Sequence, residues 1–108
     1  MSVVKLNVDI SPRETFNILV KKINADLIYK EIDSIDDERE FAILVFEKYY
    51  FRSKNRAALT VVIDSFQGIT LVRAIAAGSS QGMIFDFDWG AGEDFARSVK
   101  KILKKYII

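Results

Sequence analysis

FAILVFEKYYFRSKNRAALTVVIDSFQGITLVRAIAA, residues 41–77, is the stretch on which the fold turns. It contains three runs rich in branched and aromatic residues: Phe41–Arg52, Ala57–Phe66 and Ile69–Ala77. Such runs bounded by polar breaks read as β-strands. The breaks are Ser53-Lys54-Asn55 and Gln67-Gly68, and connections this short can join only antiparallel neighbours.

Working outward toward the N-terminus, Asp36-Asp37-Glu38-Arg39-Glu40 is a solvated charged turn, and Leu27–Ile35 is a further strand before it. Ser11-Pro12-Arg13-Glu14 marks a helix start. Ser11 can cap, Pro12 suits the first helical position, and Glu14 completes a capping box. Phe16, Leu19, Val20 and Ile23 follow at helical spacing, which carries this helix to about Ala25. Val3–Ile10 alternates as a first strand.

Toward the C-terminus, Gly78–Gly82 reads as a loop and Met83–Trp89 as a short strand or an extended approach. Gly90-Ala91-Gly92 breaks it. Glu93 and Asp94 then sit where the first turn of a helix favours acid, and Lys100, Lys101, Lys104 and Lys105 where the last turns favour base. Phe95, Val99, Ile102, Leu103 and Tyr106 form one apolar stripe.

The order is β-α-β-β-β-β-α, an α+β class. The expectation is an antiparallel sheet of five to six strands with both amphipathic helices on one face. That order resembles the TATA-box-binding-protein-like and helix-grip folds. Element order does not fix function.

Composition restricts the chemistry. The chain has 108 residues, sixteen basic and fifteen acidic side chains, no histidine and no cysteine. The length fits one compact domain, residues 1–108, able to hide roughly 65% of its unfolded surface. Without cysteine there is no disulfide framework or thiol nucleophile, and without histidine no imidazole base and no Ser-His-Asp triad. No arrangement of the remaining carboxylates, lysines, tyrosines, serines and arginines identifies a reaction, so no catalytic residue, metal or cofactor is assigned. Met1–Ile10 carries no apolar run of signal-peptide type, and Phe41–Phe46 is the longest uninterrupted apolar stretch, far short of the about 20 residues of a membrane span. The expectation is a cytoplasmic protein with no membrane partner.

The sequence carries more apolar surface than one buried sheet face uses. In Phe41–Phe46 both parities are apolar: Phe41, Ile43 and Val45 on one side, Ala42, Leu44 and Phe46 on the other. Two helices of about four turns cover roughly one face of such a sheet. The remainder is explained by a curled sheet with tolerated surface Ala, Thr and Val, by a homo-oligomer interface, or by a ligand cavity between the sheet and the C-terminal helix. For the interface, the candidate residues are Phe41, Ala42, Leu44 and Phe46. For the cavity, they are Arg73, Trp89, Gly90 and Gly92.

Each of these has a bland alternative. Arg73 shares its parity with Ile69, Leu71 and Ile75. On a buried face its guanidinium needs an anionic partner, with Asp64, Asp86 and Asp88 as candidates. It could clamp a carboxylate or phosphate ligand. The bland alternative, which is favoured, is a stem lying on apolar surface with its head in water. Asp86, Asp88, Glu93 and Asp94 faintly resemble a calcium loop, but Gly92 falls at the seventh position and Arg97 where the bidentate Glu belongs. Gly90-Ala91-Gly92 offers amides to an anion, yet the dinucleotide fingerprint is absent and Glu93 and Asp94 repel phosphate. Lys48–Arg56, KYYFRSKNR, mixes cations with aromatic rings as single-strand nucleic-acid binders do. The net charge of only +1 argues against that partner.

FEKYYFRSKNRAALTVVID and GSSQGMIFDFDWGAGEDFARSVK resemble segments of a family of short uncharacterised bacterial proteins, mainly Gram-positive, described as a domain of unknown function. The likeness spans nearly the whole chain, from the SPRE helix start to the terminal YII. It implies a single-domain cytosolic bacterial protein and carries no activity, substrate or catalytic residue. The leading expectation is a non-enzymatic module for self-association, as a homodimer, or for protein binding. The alternative is a small-ligand binder.

Overall fold

A computed structural model describes residues 1–51, 54–78 and 89–108, with residues 89–91 described by their backbone alone. The elements are β1 (Ser2–Val8), α1 (Pro12–Lys22), β2 (Asp26–Ser34), β3 (Glu40–Tyr50), β4 (Asn55–Asp64), β5 (Thr70–Gly78) and α2 (Trp89–Ile102), followed by a 3-10 turn at Lys104–Tyr106. The five strands form one open antiparallel sheet in the order β1-β5-β4-β3-β2. This is the expected β-α-β-β-β-β-α arrangement, a helix-grip or TATA-box-binding-protein-like topology.

Local chemistry sets the element ends. Glu14 N–H donates to the Ser11 hydroxyl at 3.1 Å, and the Glu14 carboxylate accepts from Ser11 N–H at 3.3 Å. This reciprocal cap satisfies two amides that the first turn of a helix otherwise leaves open. Asp36 closes the β2–β3 turn by accepting from the amides of Glu38 and Arg39. At the β4–β5 turn Gly68 N–H donates to Ser65 O at 3.1 Å, and Gly68 has φ +84°. Only glycine adopts that backbone without strain.

Both helices lie on the same face of the sheet. α1 packs over β3, and α2 packs over β1 and β5. The core between them takes Phe16, Leu19 and Ile23 from α1 and Phe95, Ala96, Val99 and Leu103 from α2. From the strands it takes Leu6 and Val8, Ala42, Leu44 and Phe46, Leu59, Val61 and Ile63, and Val72, Ala74 and Ala76. These strand residues are of a single parity in each strand, as a pleated sheet with one buried face requires.

The two edges of the sheet differ. Along β1 the C-terminal tail adds an antiparallel bridge, Val8 with Ile107, flanked by bonds from Asp9 N–H to Tyr106 O and from Ile108 N–H to Asn7 O. At the other edge, β2 lies largely beyond the helical layer, and its residues are exposed or half-buried throughout. A bulge between Leu27 and Tyr29 interrupts its pairing with β3. Bulges and charges on an edge strand discourage unwanted strand addition.

The structure corrects one boundary. The C-terminal helix begins at Trp89, so Gly90, Ala91 and Gly92 are helical and do not form a break before it. Glu93 and Asp94 consequently sit in the second turn. A reading of the three residues as a loop missed that glycine is only weakly disfavoured in a helix, by about 1 kcal/mol.

Candidate functional site

The face of the sheet opposite the helices is the candidate site. Its composition follows from strand register, because directly paired residues point the same way. The central row runs Lys5, Arg73, Val62, Ile43, Glu31 from β1 to β2. On one side of it lies the row Val3, Ile75, Thr60, Val45, Tyr29. On the other lies Asn7, Leu71, Asp64, Phe41, Asp33. The three inner strands therefore present a mainly aliphatic and aromatic surface. Among the described residues, no helix packs on it.

Charge on this face is sorted by edge. β1 contributes the exposed Lys5, while β2 contributes Glu31 and Asp33. Glu31 accepts a hydrogen bond from the Tyr29 hydroxyl at 2.7 Å. That bond, with the nearby negative charge, raises the Tyr29 pKa above its ordinary value.

Within the apolar field sits one ion pair. Arg73 Nη1 lies 3.1 Å from Asp64 Oδ2, with side-chain exposures of 39% and 10%. Asp64 Oδ1 also accepts from Phe66 N–H at 3.2 Å. Asp64 thus both anchors the β4–β5 turn and neutralises Arg73. The arginine stem lies along the face and its head reaches water, so a guanidinium is tolerated among apolar neighbours.

The predicted residues fall on both sides of the sheet. Ala42, Leu44 and Phe46 are fully buried under the helices and are not available to a partner. Of the four residues proposed from the FAILVF run, Phe41 alone lies on the open face, and its companions there are Ile43 and Val45. The proposed ligand set does not assemble either. Arg73 lies on the open face, whereas Gly92 is buried in α2 on the helix side, one turn before the buried Ala96. Gly90 and Trp89 belong to the same helix, and their surroundings are not described. Asp86 and Asp88, and the strand expected at Met83–Trp89 except Trp89 itself, lie outside the described residues.

The missed residues, Ile43, Val45, Val62 and Ile75, carried a usable signal. Lys5, Asn7 and Arg73 are polar at the parity that register links to them.

Several concavities lie elsewhere. A cleft of about 540 Å³ runs between the Val8–Pro12 connection and the β4–β5 turn, lined in part by Asp9, Glu38, Glu40 and Thr70. A smaller one of about 240 Å³ lies between the ends of β3 and α2, lined by Ile23, Asn24, Lys48, Tyr50, Asp94, Phe95 and Ser98. There the rings of Tyr50 and Phe95 meet edge-on at 6.0 Å and the Lys48 ammonium sits 5.6 Å from the Tyr50 centroid. In the KYYFRSKNR segment, Arg56 pairs with Glu47 at 2.8 Å and lies over Tyr49. Lys48 and Arg56 are thus engaged within the chain, while Arg52 and Ser53 lie outside the described residues. Among the described residues no cluster of acidic side chains could hold a metal ion. No described helix is long and apolar enough to cross a membrane.

The class defined by this geometry is an open-faced α+β module: among the described residues, five antiparallel strands with one face sealed by two helices and the other bare of them. The chain belongs to a family of unknown function, DUF6054, whose model matches residues 1–107. No curated protein and no solved structure matches it.

Proposed function

We propose that this chain is a non-enzymatic, single-domain bacterial protein of the cytoplasm that works by self-association through the open face of its sheet. One observation carries the reading: the three inner strands place the half-buried Phe41, Ile43, Val45, Val62 and Ile75, beside the buried Leu71, on the face that bears no helix among the described residues. A contiguous apolar surface of this kind is characteristic of an interaction site. The lack of histidine and cysteine supports a role that does not depend on thiol or imidazole chemistry.

The same lack of cysteine provides a clean test, because any introduced thiol is unique. Val62→Cys places a thiol at the centre of the face, and Lys101→Cys places one on the exposed side of α2. Maleimide labelling of the Val62→Cys variant is expected to slow as the protein concentration rises from micromolar to millimolar, while the Lys101→Cys variant labels at a constant rate. Equal rates for the Val62→Cys thiol at all concentrations would exclude self-association through this face.

A small-ligand role in a cavity between the sheet and the C-terminal helix has one observation in its favour, the cleft between β3 and α2. Its volume of about 240 Å³ falls below the roughly 300–1,000 Å³ usual for ligand pockets. A reproducible rise in melting temperature with one class of metabolite would favour it over self-association.

A further inference from the structure

We infer that the partner on the open face is a second copy of this chain, seated about a twofold axis that runs parallel to the strands and over β4, with Lys5 and Glu31 as the residues that fix this orientation. This rests on the self-association reading and specifies its geometry.

The strand order β1-β5-β4-β3-β2 puts β4 in the middle of the sheet. Two copies packed face to face can be related by an axis along the strands or across them. An axis along the strands, over β4, lays β1 of one copy opposite β2 of the other. An axis across the strands lays β1 on β1 and β2 on β2. The central row decides between them, since it begins at Lys5 on β1 and ends at Glu31 on β2, with Val62 at its midpoint. The first arrangement sets each Lys5 against the partner's edge that carries Glu31, twice over by symmetry. The second sets lysine against lysine and glutamate against glutamate.

In the remaining rows Asp64 on β4, like Val62, meets its own counterpart, and each Asp64 is neutralised by Arg73 of its own chain. Ile75 on β5 comes opposite Val45 on β3, and Leu71 comes opposite Phe41. Val62 lies on the axis and meets its own counterpart, as an isologous interface requires. Sheets packed this way cross at about 30°, which leaves the apolar centre in register and lets long charged side chains at the edges take up the offset. Arg73 adds no unpaired charge to the interior, because Asp64 of its own chain neutralises it. Like charges juxtaposed across an interface are strongly unfavourable, so charged edges select orientation more than they supply affinity.

The experiment is an exchange of charge between the edges, read by sedimentation velocity with circular dichroism to show that each variant is folded. Lys5→Glu and Glu31→Lys are each expected to raise the dissociation constant about tenfold or more. An equimolar mixture of the two is expected to recover wild-type affinity as a one-to-one heterodimer, because both cross-edge pairs then join opposite charges. Raised salt is expected to weaken the wild-type dimer and the mixed dimer alike. Single variants that associate as tightly as wild type, with a mixture tighter than wild type, would overturn the proposed orientation in favour of the axis across the strands, and a mixture that stays monomeric would overturn it too. So would association lost in Glu31→Lys and untouched in Lys5→Glu, which would place the contact at the β2 edge. Protection of the Val62→Cys thiol without recovery in the mixture would leave self-association standing and remove only this orientation.

Discussion

Asp64 holds two donors at once, the Phe66 amide and the Arg73 guanidinium, and is itself the more buried member of the pair. That asymmetry fixes what substitution should do. Arg73→Met leaves a nearly buried carboxylate with one partner fewer, whereas the half-exposed Arg73 can turn to water when Asp64 is removed. Arg73→Met is therefore expected to destabilise the chain by about 1–3 kcal/mol. The further change Asp64→Asn should restore part of that loss, since the amide oxygen still accepts from Phe66 and the charge is gone. Urea midpoints of the single and double variants check both statements. Asp36 offers a second test at this scale. Its bonds from the Arg39 side chain and from the Glu38 and Arg39 amides lower its pKa from 3.8 to about 2. The folded chain thus binds this proton less tightly than the unfolded chain does. The resulting stability is whole above the unfolded value and is lost as pH falls through the folded one. Asp36→Asn should accordingly lower the melting temperature at neutral pH, and the difference from wild type should close between about pH 5 and pH 2. A gap that stays constant over that range would show that this carboxylate does not support the β2–β3 turn.

β3 shows most clearly what could and could not be read at the level of the element. The apolar run made a strand evident, and its two-sided character made it evident that the second face mattered. The run itself does not say which parity faces the helices, because Phe41, Ile43 and Val45 are as apolar as Ala42, Leu44 and Phe46. The assignment comes from other strands, through register: Ile43 pairs with Val62, Val62 with Arg73, and Arg73 with Lys5. Two charged residues at one end of that row mark the face away from the helices. The start of α1 was legible because a capping box is a local pattern that its own bonds complete. The start of α2 was not, since the two glycines that suggested a break are accommodated in the helix. The two parities of β3 are expected to respond differently to substitution. Leu44→Ala opens a cavity beneath the helices and should cost about 2–5 kcal/mol. Ile43→Thr keeps a branched side chain on a strand and should cost no more than about 1 kcal/mol in the free protomer, while weakening self-association. Urea titration at high dilution reads the first quantity and sedimentation at high concentration the second. Equal stability losses would mean that both faces are sealed within one chain.

Across the whole molecule, the order β1-β5-β4-β3-β2 joins the first strand to the last. Ser2 pairs with Ala76 and Val8 with Thr70, so this ladder closes only after almost the entire intervening chain is in place. The β3–β4 and β4–β5 ladders close short turns instead, with Tyr50 opposite Asn55 at the tighter of them. Closing a long loop carries an entropic cost before its contacts return anything, and topologies dominated by such pairings fold on the millisecond-to-second scale. The hairpins of β3, β4 and β5 should therefore form the folding nucleus, with β1 and the tail that bridges to it added late. Leu59 on β4 and Leu6 on β1 both lie in the same core, which permits a matched comparison. Leu59→Ala is expected to slow folding with little change in the unfolding rate, because its contacts exist in the transition state. Leu6→Ala should leave the folding rate nearly unchanged and accelerate unfolding. Stopped-flow chevrons in urea, taken at concentrations that keep the chain monomeric, separate the two arms. Slower folding in Leu6→Ala to the same degree as in Leu59→Ala would place β1 in the nucleus, and the sheet would then assemble from its ends rather than outward from its centre.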